Sequence, residues 1–358
     1  MSVFDAVDFD HHETVAFFDD KASGLRSIIA IHSTALGPGC GGCRMYAYAS
    51  EAAALTDALR LSRGMSFKSA IADIPLGGGK AVILGDPIRD KTEAKLVAFA
   101  DAVNALGGRY ITAMDVGMTP KDLPIIARAT THVAGFDQPG KTGGDSGPLT
   151  AQGVFVGLKA AVRHRLKADR VTGVRVAIQG LGKVGMGLAE RLHAEGACLI
   201  VADVNETAVK AAVEKFGAIA VAPDLILLAD CDVVSPCALG AILNDASVPA
   251  LNAKVVAGAA NNQLARDEHG RMLRDRGILY APDYVINGGG IIRVAGQIFG
   301  WADSEIEARA ERIADTLTAI FRRADADDAP TSVIADRMAQ ERIAKAKKGA
   351  ALKTVAAE

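Results

Sequence analysis

The chain has 358 residues, of which half are apolar and 23% are charged, and its formal net charge is only −2. This length suits two domains of ordinary size, and the composition is typical of a folded globular protein rather than a disordered one. The near-neutral charge argues against an extended basic surface for nucleic acids or anionic membranes, and no apolar run approaches the roughly 18 residues that a membrane span needs.

The amino-terminal residues Met1 to Asp5 lack the positive start and the apolar core of a signal peptide. Five thinly spread cysteines predict a reducing, cytoplasmic location without structural disulfides. Cys40 and Cys43 form a Cys-x-x-Cys motif, but a structural zinc site needs about four ligands, and neither a second pair nor a nearby histidine cluster supplies them. We therefore interpret the motif as two small residues on a tight glycine turn and predict no metal site.

Helical and strand patterns alternate along the whole chain, which predicts an α/β architecture. In the first half, one helix is predicted over 50–63, and a second around 96–103, where apolar residues recur at helical spacing. Short apolar strands are predicted over 27–31, 81–84 and 110–112.

Two lysines interrupt the most apolar, glycine-rich part of this half. Lys68 lies in the run 64–70, and Lys80 follows three glycines and precedes four apolar residues. Because burying an unpaired ammonium group costs several kcal/mol, a lysine in such a setting has a lowered pKa or a fixed anionic partner. The pair suggests a site that holds a carboxylate and transfers protons. A phosphate-binding P-loop at Lys80 is excluded, because its first glycine would fall at Ile74 and its Ser or Thr at Ala81.

Glycine and proline punctuate residues 137–148, which we predict to be a domain boundary or hinge. After a predicted helix over 150–164, a strand over 174–179 runs directly into the glycine-rich segment 180–185. A helix, a second strand over 198–202 and Asp203 follow, with the acid 18 residues beyond Gly185. This context predicts a dinucleotide site, because such glycines let the backbone approach a pyrophosphate and the helix N-terminus offers free N–H groups.

Asp203 should select between the two nicotinamide dinucleotides. A carboxylate at this position accepts hydrogen bonds from the ribose hydroxyls and repels a 2′-phosphate, and residues 204–206 contain no Arg or Lys to offset that repulsion. NAD is therefore predicted as the cofactor rather than NADP. Further strands, predicted over 232–235, 255–258 and 278–281, end in the polar or glycine residues at which ligands of open α/β sheets bind.

Six motifs in combination carry a family resemblance. They are Gly41-Gly42-Cys43-Arg44-Met45, Gly64-Met65-Ser66-Phe67-Lys68, Gly77-Gly78-Gly79-Lys80, Thr112-Ala113-Met114-Asp115-Val116-Gly117, Gly258-Ala259-Ala260-Asn261-Asn262 and Ala281-Pro282-Asp283-Tyr284-Val285-Ile286-Asn287. Over nearly its whole length the chain resembles the family of glutamate, leucine, phenylalanine and valine dehydrogenases, with the leucine enzymes as the nearest branch.

The resemblance implies a two-domain α/β enzyme with its active site in the cleft. It implies a substrate-binding and oligomerisation domain over 1–143, a Rossmann-type NAD-binding domain over 144–330, and a C-terminal helical segment over 331–358 that packs back on the first domain. The expected partners are a small L-amino acid, its 2-oxo acid and further copies of the chain, a homo-oligomer.

The resemblance also implies roles for single residues. Lys68 matches the lysine that holds the substrate carboxylate, Lys80 the catalytic lysine, and Asp115 the carboxylate that exchanges protons with the amino group. A lysine base works near neutral pH only if its pKa falls by about 3 units, which apolar walls and neighbouring Lys68 favour and Asp115 opposes. The other substrate positions are Gly42, Cys40, Ala113, Asn262, Ile291 and Val294, and the cofactor positions are Gly180, Leu181, Gly182, Lys183, Val184, Gly185, Asp203, Asn261 and Asn262.

Two pocket positions indicate the substrate side chain. In glutamate-specific relatives a lysine and a hydroxyl residue hold the distal carboxylate, at positions that match Cys40 and Val294. Neither can bind an anion, so we predict reversible oxidative deamination of leucine, isoleucine and valine. Cys40 leaves room for phenylalanine, the runner-up, whereas Ala113 restricts that room. A catalytically silent NAD-binding regulator is the alternative of another class, and loss of Lys80 or Asp115 would mark it.

Overall fold

The computed structural model describes residues 2–137 and 144–355, and their side chains up to residue 349. Two compact units are present. The first comprises the chain up to Gly144 with Val294–Trp301 and Ala339–Glu358, and the second comprises Asp145–Arg293 with Ala302–Met338. The predicted boundary at residue 143, and the part of the predicted hinge at 138–143, lie outside the described residues. The second unit reaches Met338 rather than 330, and residues 294–301 belong to the first.

The first unit is built on a five-stranded sheet. Its strands are β1 (Thr14–Asp20), β2 (Leu25–Ser33), β3 (Gly39–Tyr46), β4 (Gly77–Leu84) and β5 (Tyr110–Met114). Their order is β1-β2-β4-β3-β5. β3 pairs in parallel with both β4 and β5, whereas β2 runs antiparallel to β1 and β4. The predicted strands over 27–31, 81–84 and 110–112 are confirmed, and each is longer than predicted.

Helices cover both faces of this sheet. They are α1 (Glu51–Ile71), α2 (Glu93–Asn104) and α3 (Asp122–Ala127). The predicted apolar face of α2 packs on one side against Ile29 and Tyr110. Ala58 and Leu59 of α1 pack on the other side against Val82. Buried apolar residues on both faces fix the sheet between two helical layers.

Helix α1 is longer than the predicted 50–63. Ser50 begins it by accepting a hydrogen bond from the N–H of Ala53, and the helix continues to Ile71. Gly64 is exposed on α1, and the helix continues through it. The motif that contains Lys68 is therefore helical.

The second unit contains a parallel six-stranded sheet. Its strands are β6 (Arg175–Gln179), β7 (Cys198–Ala202), β8 (Ile219–Ala220), β9 (Val233–Pro236), β10 (Val255–Val256) and β11 (Leu279–Tyr280), in the order β11-β10-β9-β6-β7-β8. The strand order reverses between β6 and β9, and ligands of such sheets bind at this switch point, beyond the carboxyl ends of the strands. The predicted strand over 198–202 matches β7 to the residue.

The remaining helices belong mainly to the second unit. They are α4 (Gly147–Leu166), α5 (Lys183–Ala194), α6 (Glu206–Phe216), α7 (Ser247–Ala250), α8 (Glu268–Asp275), α9 (Asp283–Ile286), α10 (Gly289–Phe299), α11 (Asp303–Asp327) and α12 (Thr331–Val355). Among the helices of the described residues, none has both the length and the apolar character to cross a membrane.

The end of the chain contacts the first unit. From Ala339 onward α12 belongs to that unit. Arg342 donates two hydrogen bonds of 2.9 Å to the carbonyl oxygens of Ala70 and Ile71, at the end of α1. Both carbonyls lie in the last turn of α1, where the regular helical hydrogen bonds run out, and that of Ala70 also accepts from the N–H of Asp73. A cation at this end also interacts favourably with the helix dipole.

Candidate active site

An ion pair between a buried lysine and a partly buried aspartate lies in the first unit. Lys80 is in the middle of β4, Asp115 directly follows β5, and the Nζ of Lys80 donates to Oδ2 of Asp115. Lys80 is only 6% exposed. The carboxylate is thus the fixed anionic partner that a lysine in this apolar setting requires.

Four predicted site residues share one face of the sheet. Cys40 pairs with Gly78, two residues before Lys80, and Gly42 pairs with Ala113. Residues in register on parallel strands point to the same side, as do residues two apart. Cys40, Gly42, Lys80 and Ala113 therefore lie on one face, the face that α1 covers.

Gly42 is required by the close approach of Asp115. A Cβ at residue 42 would lie 2.7 Å from the Cβ of Asp115 and 2.6 Å from the carbonyl oxygen of Met114. Neither contact is possible without displacing the chain that carries Asp115. The glycine thus lets the carboxylate sit against β3, within reach of Lys80.

Burial and charge act together on the ion pair. Burial lowers the pKa of Lys80, Asp115 opposes that change, and the positive charge of Arg44 adds to the lowering, so the net pKa lies below the ordinary lysine value. Burial alone would raise the pKa of Asp115, but Lys80 and then Arg44 outweigh it, and the net pKa of Asp115 lies below its usual range. The predicted lowering of the Lys80 pKa has the direction that a general base needs.

Arg44 is a site residue to which the sequence analysis gave no role. Its Nε donates to Oδ2 of Asp115 at 3.0 Å, so one carboxylate oxygen accepts from two cations. Arg44 is also the like charge that lowers the pKa of Lys80, a role predicted for Lys68. Its position two residues after Gly42 places both on one face of β3, but its contact with Asp115 joins residues 71 positions apart.

The two lysines differ in burial. Lys68 lies on α1 and is only partly buried, unlike Lys80. Lys68 is therefore less enclosed than Lys80. A partly exposed lysine keeps access to solvent, which suits a residue that captures a charged ligand rather than one that transfers protons.

Ala113 and Val294 both lie close to Gly135. A Cβ built on Gly135 would be 3.6 Å from the Cβ of Ala113 and 3.7 Å from Cγ2 of Val294, which is ordinary van der Waals contact. Gln297 fixes this segment: its Oε1 accepts from the Gly135 N–H, and its Nε2 donates to the Phe136 carbonyl oxygen, both at 2.6 Å. The structure thus brings two predicted pocket residues together. Gln297 and Gly135 were not predicted.

Cys40 and Cys43 lie in β3, so the predicted glycine turn is wrong. Residues three apart in a strand point to opposite faces, and Cys43 packs in the core under α2. Burial raises the pKa of the Cys40 thiol to about 12 and also raises the pKa of Cys43. Both thiols are free and fully buried, and they do not form a chelating pair.

In the second unit, the glycine-rich segment joins β6 to α5. Gly180 has a φ of 95°, a left-handed conformation that favours glycine. Gly185 packs so closely that an added Cβ would lie 1.9 Å from the carbonyl oxygen of Gly180, whereas a Cβ at Gly182 would meet nothing within 4 Å. Gly182 precedes α5, and no side chain caps that helix end. Its first N–H groups and the open space at Gly182 fit a pyrophosphate.

The other residues of this segment differ in exposure. Leu181 is buried, Val184 is partly buried, and Lys183 is exposed and pairs with Asp145 at 2.8 Å. Asp203 follows β7 and forms hydrogen bonds with two backbone N–H groups. Its Oδ2 accepts from the Leu181 N–H in the glycine-rich segment, and its Oδ1 accepts from the Asn205 N–H at 2.7 Å. Asp203 therefore orients the glycine-rich segment itself, which the sequence analysis did not predict.

Asn261 and Asn262 are exposed in the second unit, after β10. Asn287, which is buried, donates at 2.8 Å to the Oδ1 of Asn261 and so fixes its amide. Asn262 has a φ of 52°, a left-handed conformation that asparagine tolerates better than most residues. Ile291 is 7% exposed, in α10.

Two sequence profiles match the chain. The profile described as the Glu/Leu/Phe/Val dehydrogenase dimerisation domain matches residues 11–132. The profile described as glutamate/leucine/phenylalanine/valine dehydrogenase matches residues 201–350.

Known proteins resemble the chain over nearly its whole length. A leucine dehydrogenase from Geobacillus stearothermophilus is 49% identical over 96% of this chain and 94% of its own. A valine dehydrogenase from Streptomyces coelicolor is 48% identical over 94% and 93%. Among solved structures, L-tryptophan dehydrogenase from Nostoc punctiforme is 44% identical, with a TM-score of 0.85 over 94% of this chain and 97% of its own.

Proposed function

The chain belongs to the Glu/Leu/Phe/Val dehydrogenase family, and we propose that it catalyses the reversible, NAD-dependent oxidative deamination of leucine, isoleucine and valine to the 2-oxo acid and ammonia. It is an amino-acid dehydrogenase, an oxidoreductase. The observation that carries the chemistry is the buried Lys80–Asp115 pair, beside Gly42 and with a lowered lysine pKa.

The reaction needs an acceptor for the hydride that leaves the substrate Cα, and bound NAD would supply it. The resulting iminium adds water, and ammonia leaves as the 2-oxo acid forms. Lys80 takes the proton from that water, because its lowered pKa makes the neutral amine available. Asp115 exchanges protons with the substrate amino group, since its lowered pKa keeps it ionised and able to accept. Lys68 holds the α-carboxylate by a charge-assisted contact.

We assign the cofactor to the second unit. The segment from Gly180 to Gly185, with Leu181, Lys183 and Val184, and the N-terminus of α5 would hold the pyrophosphate. Asp203 would accept hydrogen bonds from the ribose hydroxyls and repel a 2′-phosphate, which favours NAD over NADP. Its two oxygens already accept from Leu181 and Asn205, and each retains a lone pair for the ribose. Asn261 and Asn262 complete the proposed nicotinamide and substrate contacts.

The proposed pocket wall is apolar. In the first unit Cys40 is a neutral thiol, and Ala113 and Val294 both lie against Gly135. Ile291, in the second unit, stays a predicted substrate position. A distal carboxylate facing these residues would lose its hydration without gaining a partner, so glutamate is disfavoured by several kcal/mol. The Cβ of Ala113 narrows the proposed pocket, which favours branched aliphatic side chains over larger aromatic ones. Phenylalanine stays the second candidate, because Cys40 is small.

One assay decides among these candidates. NADH formation at alkaline pH should be measured against leucine, isoleucine, valine, phenylalanine and glutamate. We expect kcat/KM to be highest for the branched aliphatic substrates and to differ among them by no more than about 10–200-fold. Glutamate outperforming leucine would refute the pocket assignment. No turnover with any of the five would favour the silent NAD-binding regulator.

We also propose that the chain forms a homo-oligomer and acts in the cytoplasm. The first proposal is supported by the match to a profile described as a dimerisation domain, and light scattering of the purified protein tests it. The second rests on the thin use of cysteines, all free among the described residues.

A further inference from the structure

A chain of charged groups continues beyond the Lys80–Asp115 pair. Arg44 donates from Nε to Oδ2 of Asp115 at 3.0 Å, and from an Nη atom to Oδ2 of Asp57 at 2.7 Å. Only 22% of the Arg44 side chain and 15% of the Asp57 side chain are exposed, so solvent screens these contacts weakly. One guanidinium thus joins the proposed catalytic carboxylate to a second carboxylate on α1.

Asp57 is held in turn by two neighbours. Its Oδ2 also accepts from the Tyr48 hydroxyl at 2.8 Å, and its Oδ1 accepts from Arg60 at 3.0 Å. Asp57 is therefore held in its orientation by contacts other than the one with Arg44. A guanidinium offers several donors in a rigid plane, so a fixed acceptor at one edge sets the direction of the other edge.

We propose that Arg44 is a positioning residue for the reaction: it anchors the Asp115 carboxylate to α1 through Asp57, and its charge favours the neutral form of Lys80 that acts as the base. The inference rests on the proposed function for its catalytic meaning. The geometry on which it depends lies entirely within the first unit. Arg44 does not transfer a proton itself, because a guanidinium stays charged throughout the working pH range.

The other charged groups around Lys80 do not replace Arg44. Asp115, after β5, attracts the ammonium, and the thiol of Cys43 on β3 is neutral because burial raises its pKa. On β2, His32 hydrogen-bonds to Ser66 at 2.8 Å, and burial lowers its pKa to about 4, so it carries no charge near neutral pH. On α1, Asp57 is occupied by Arg44. Among the charged groups that shift the pKa of Lys80 most, Arg44 is the one cation.

The sign of the effect follows from the charges. Two cations share one carboxylate oxygen, and each disfavours the other's charged form. Removing the positive charge of Arg44 therefore raises the pKa of Lys80. Because the neutral amine is the base, the rising limb of kcat/KM against pH should move to higher pH, by about one unit. At pH values on the acidic side of that limb, kcat/KM should be about ten-fold lower than in the unmodified protein.

The test compares Arg44→Met with Arg60→Met. Both substitutions remove an arginine from the same carboxylate of Asp57, but Arg60 does not contact Asp115 among the hydrogen bonds and ion pairs of the described residues. We expect the limb to shift in Arg44→Met and to stay in place in Arg60→Met. Equal shifts would mean that the loss of any arginine contact to Asp57 is enough to move the limb, and would overturn the proposed role of the Arg44 charge.

A second measurement does not depend on activity. The protein is labelled at a series of pH values with acetic anhydride, and the extent of Lys80 acetylation is read by peptide mass spectrometry, with Lys91 as the internal reference. The midpoint for Lys80 should rise in Arg44→Met. An unchanged midpoint would overturn the inference even if the wild type is an active dehydrogenase. If the wild type shows no turnover but the Lys80 midpoint still rises in Arg44→Met, the inference about the Arg44 charge is supported and the proposed function fails.

Arg44→Lys keeps the test decisive if Arg44→Met does not fold. Lysine restores the charge but cannot bridge two carboxylates with a planar fork. We expect the Lys80 midpoint to stay within about 0.3 units of the wild type, while kcat falls because Asp115 loses its anchor to α1. A full-unit shift in Arg44→Lys would refute the charge effect.

Discussion

The first unit assembles its proposed site from β3, β4, the end of β5 and α1, whereas the second unit builds its glycine-rich segment from one short stretch between β6 and α5. The first buries an ion pair and depends on charges for its chemistry. The second depends on backbone N–H groups at a helix N-terminus and on space left open at Gly182. The proposed cofactor site thus depends on a backbone shape, while the proposed proton transfer depends on side chains whose pKa values the fold has displaced.

The largest expected effect tests the buried pair of the first unit. Lys80→Ala should lower turnover by about 100-fold or more, because the general base is lost, while NAD binding in the second unit persists. Steady-state kinetics and NAD titration measure the two quantities. Lys91→Ala is the matched control, since Lys91 forms a similar Lys–Asp pair with Asp122 at 2.7 Å. Lys91→Ala should change stability more than turnover, and turnover in Lys80→Ala as high as in that control would remove Lys80 from the mechanism.

The next effect separates binding from chemistry within the first unit. Lys68→Ala should raise the apparent KM for leucine by about 10–100-fold and change kcat less, because it removes a charge-assisted contact to the carboxylate. Initial rates over a range of leucine concentrations give both constants. A fall in kcat equal to that of Lys80→Ala, with KM unchanged, would contradict the division of roles between the two lysines.

A third prediction concerns the second unit. Asp203→Ser combined with Val204→Arg should raise activity with NADP relative to NAD by about ten-fold, because a repelling carboxylate is replaced by a cation. Val204→Arg alone is the control and should change the ratio less. Since Asp203 also accepts from the Leu181 N–H, the double variant should bind both cofactors more weakly. Equal use of NAD and NADP by the unmodified protein would count against the assignment of Asp203.

The smallest effect refines the pocket of the first unit. Ala113→Gly removes a methyl group from the wall that Gly135 and Val294 share. The ratio of kcat/KM for phenylalanine to that for leucine should rise by up to about ten-fold, the range that small changes in an apolar pocket produce. A ratio that does not change would show that Ala113 does not limit the side chain.

Local patterns predicted most of the elements and the polar residues that act through their own neighbours in sequence. The glycine-rich segment could be interpreted because turn, helix start and acid follow one another at fixed spacing. Lys80 stood out because a charge in an apolar run needs an explanation. Arg44 and Gln297 could not be assigned roles in this way, because their partners lie 71 and 162 residues away in the chain. The register of the sheet creates these contacts, and no local pattern encodes it.

Arg342 in α12 binds the end of α1, and this contact affects how the protein folds during its synthesis. The first unit draws on both ends of the chain, with Arg342 bound to the carbonyls of Ala70 and Ile71. During synthesis the second unit is complete in sequence before Arg342 leaves the ribosome. We therefore expect the first unit to complete its folding only after the whole second unit has been translated, although most of the first is translated earlier. A chain that stops at Met338 should leave the end of α1, the helix that carries Asp57 and Lys68, frayed and sensitive to proteases.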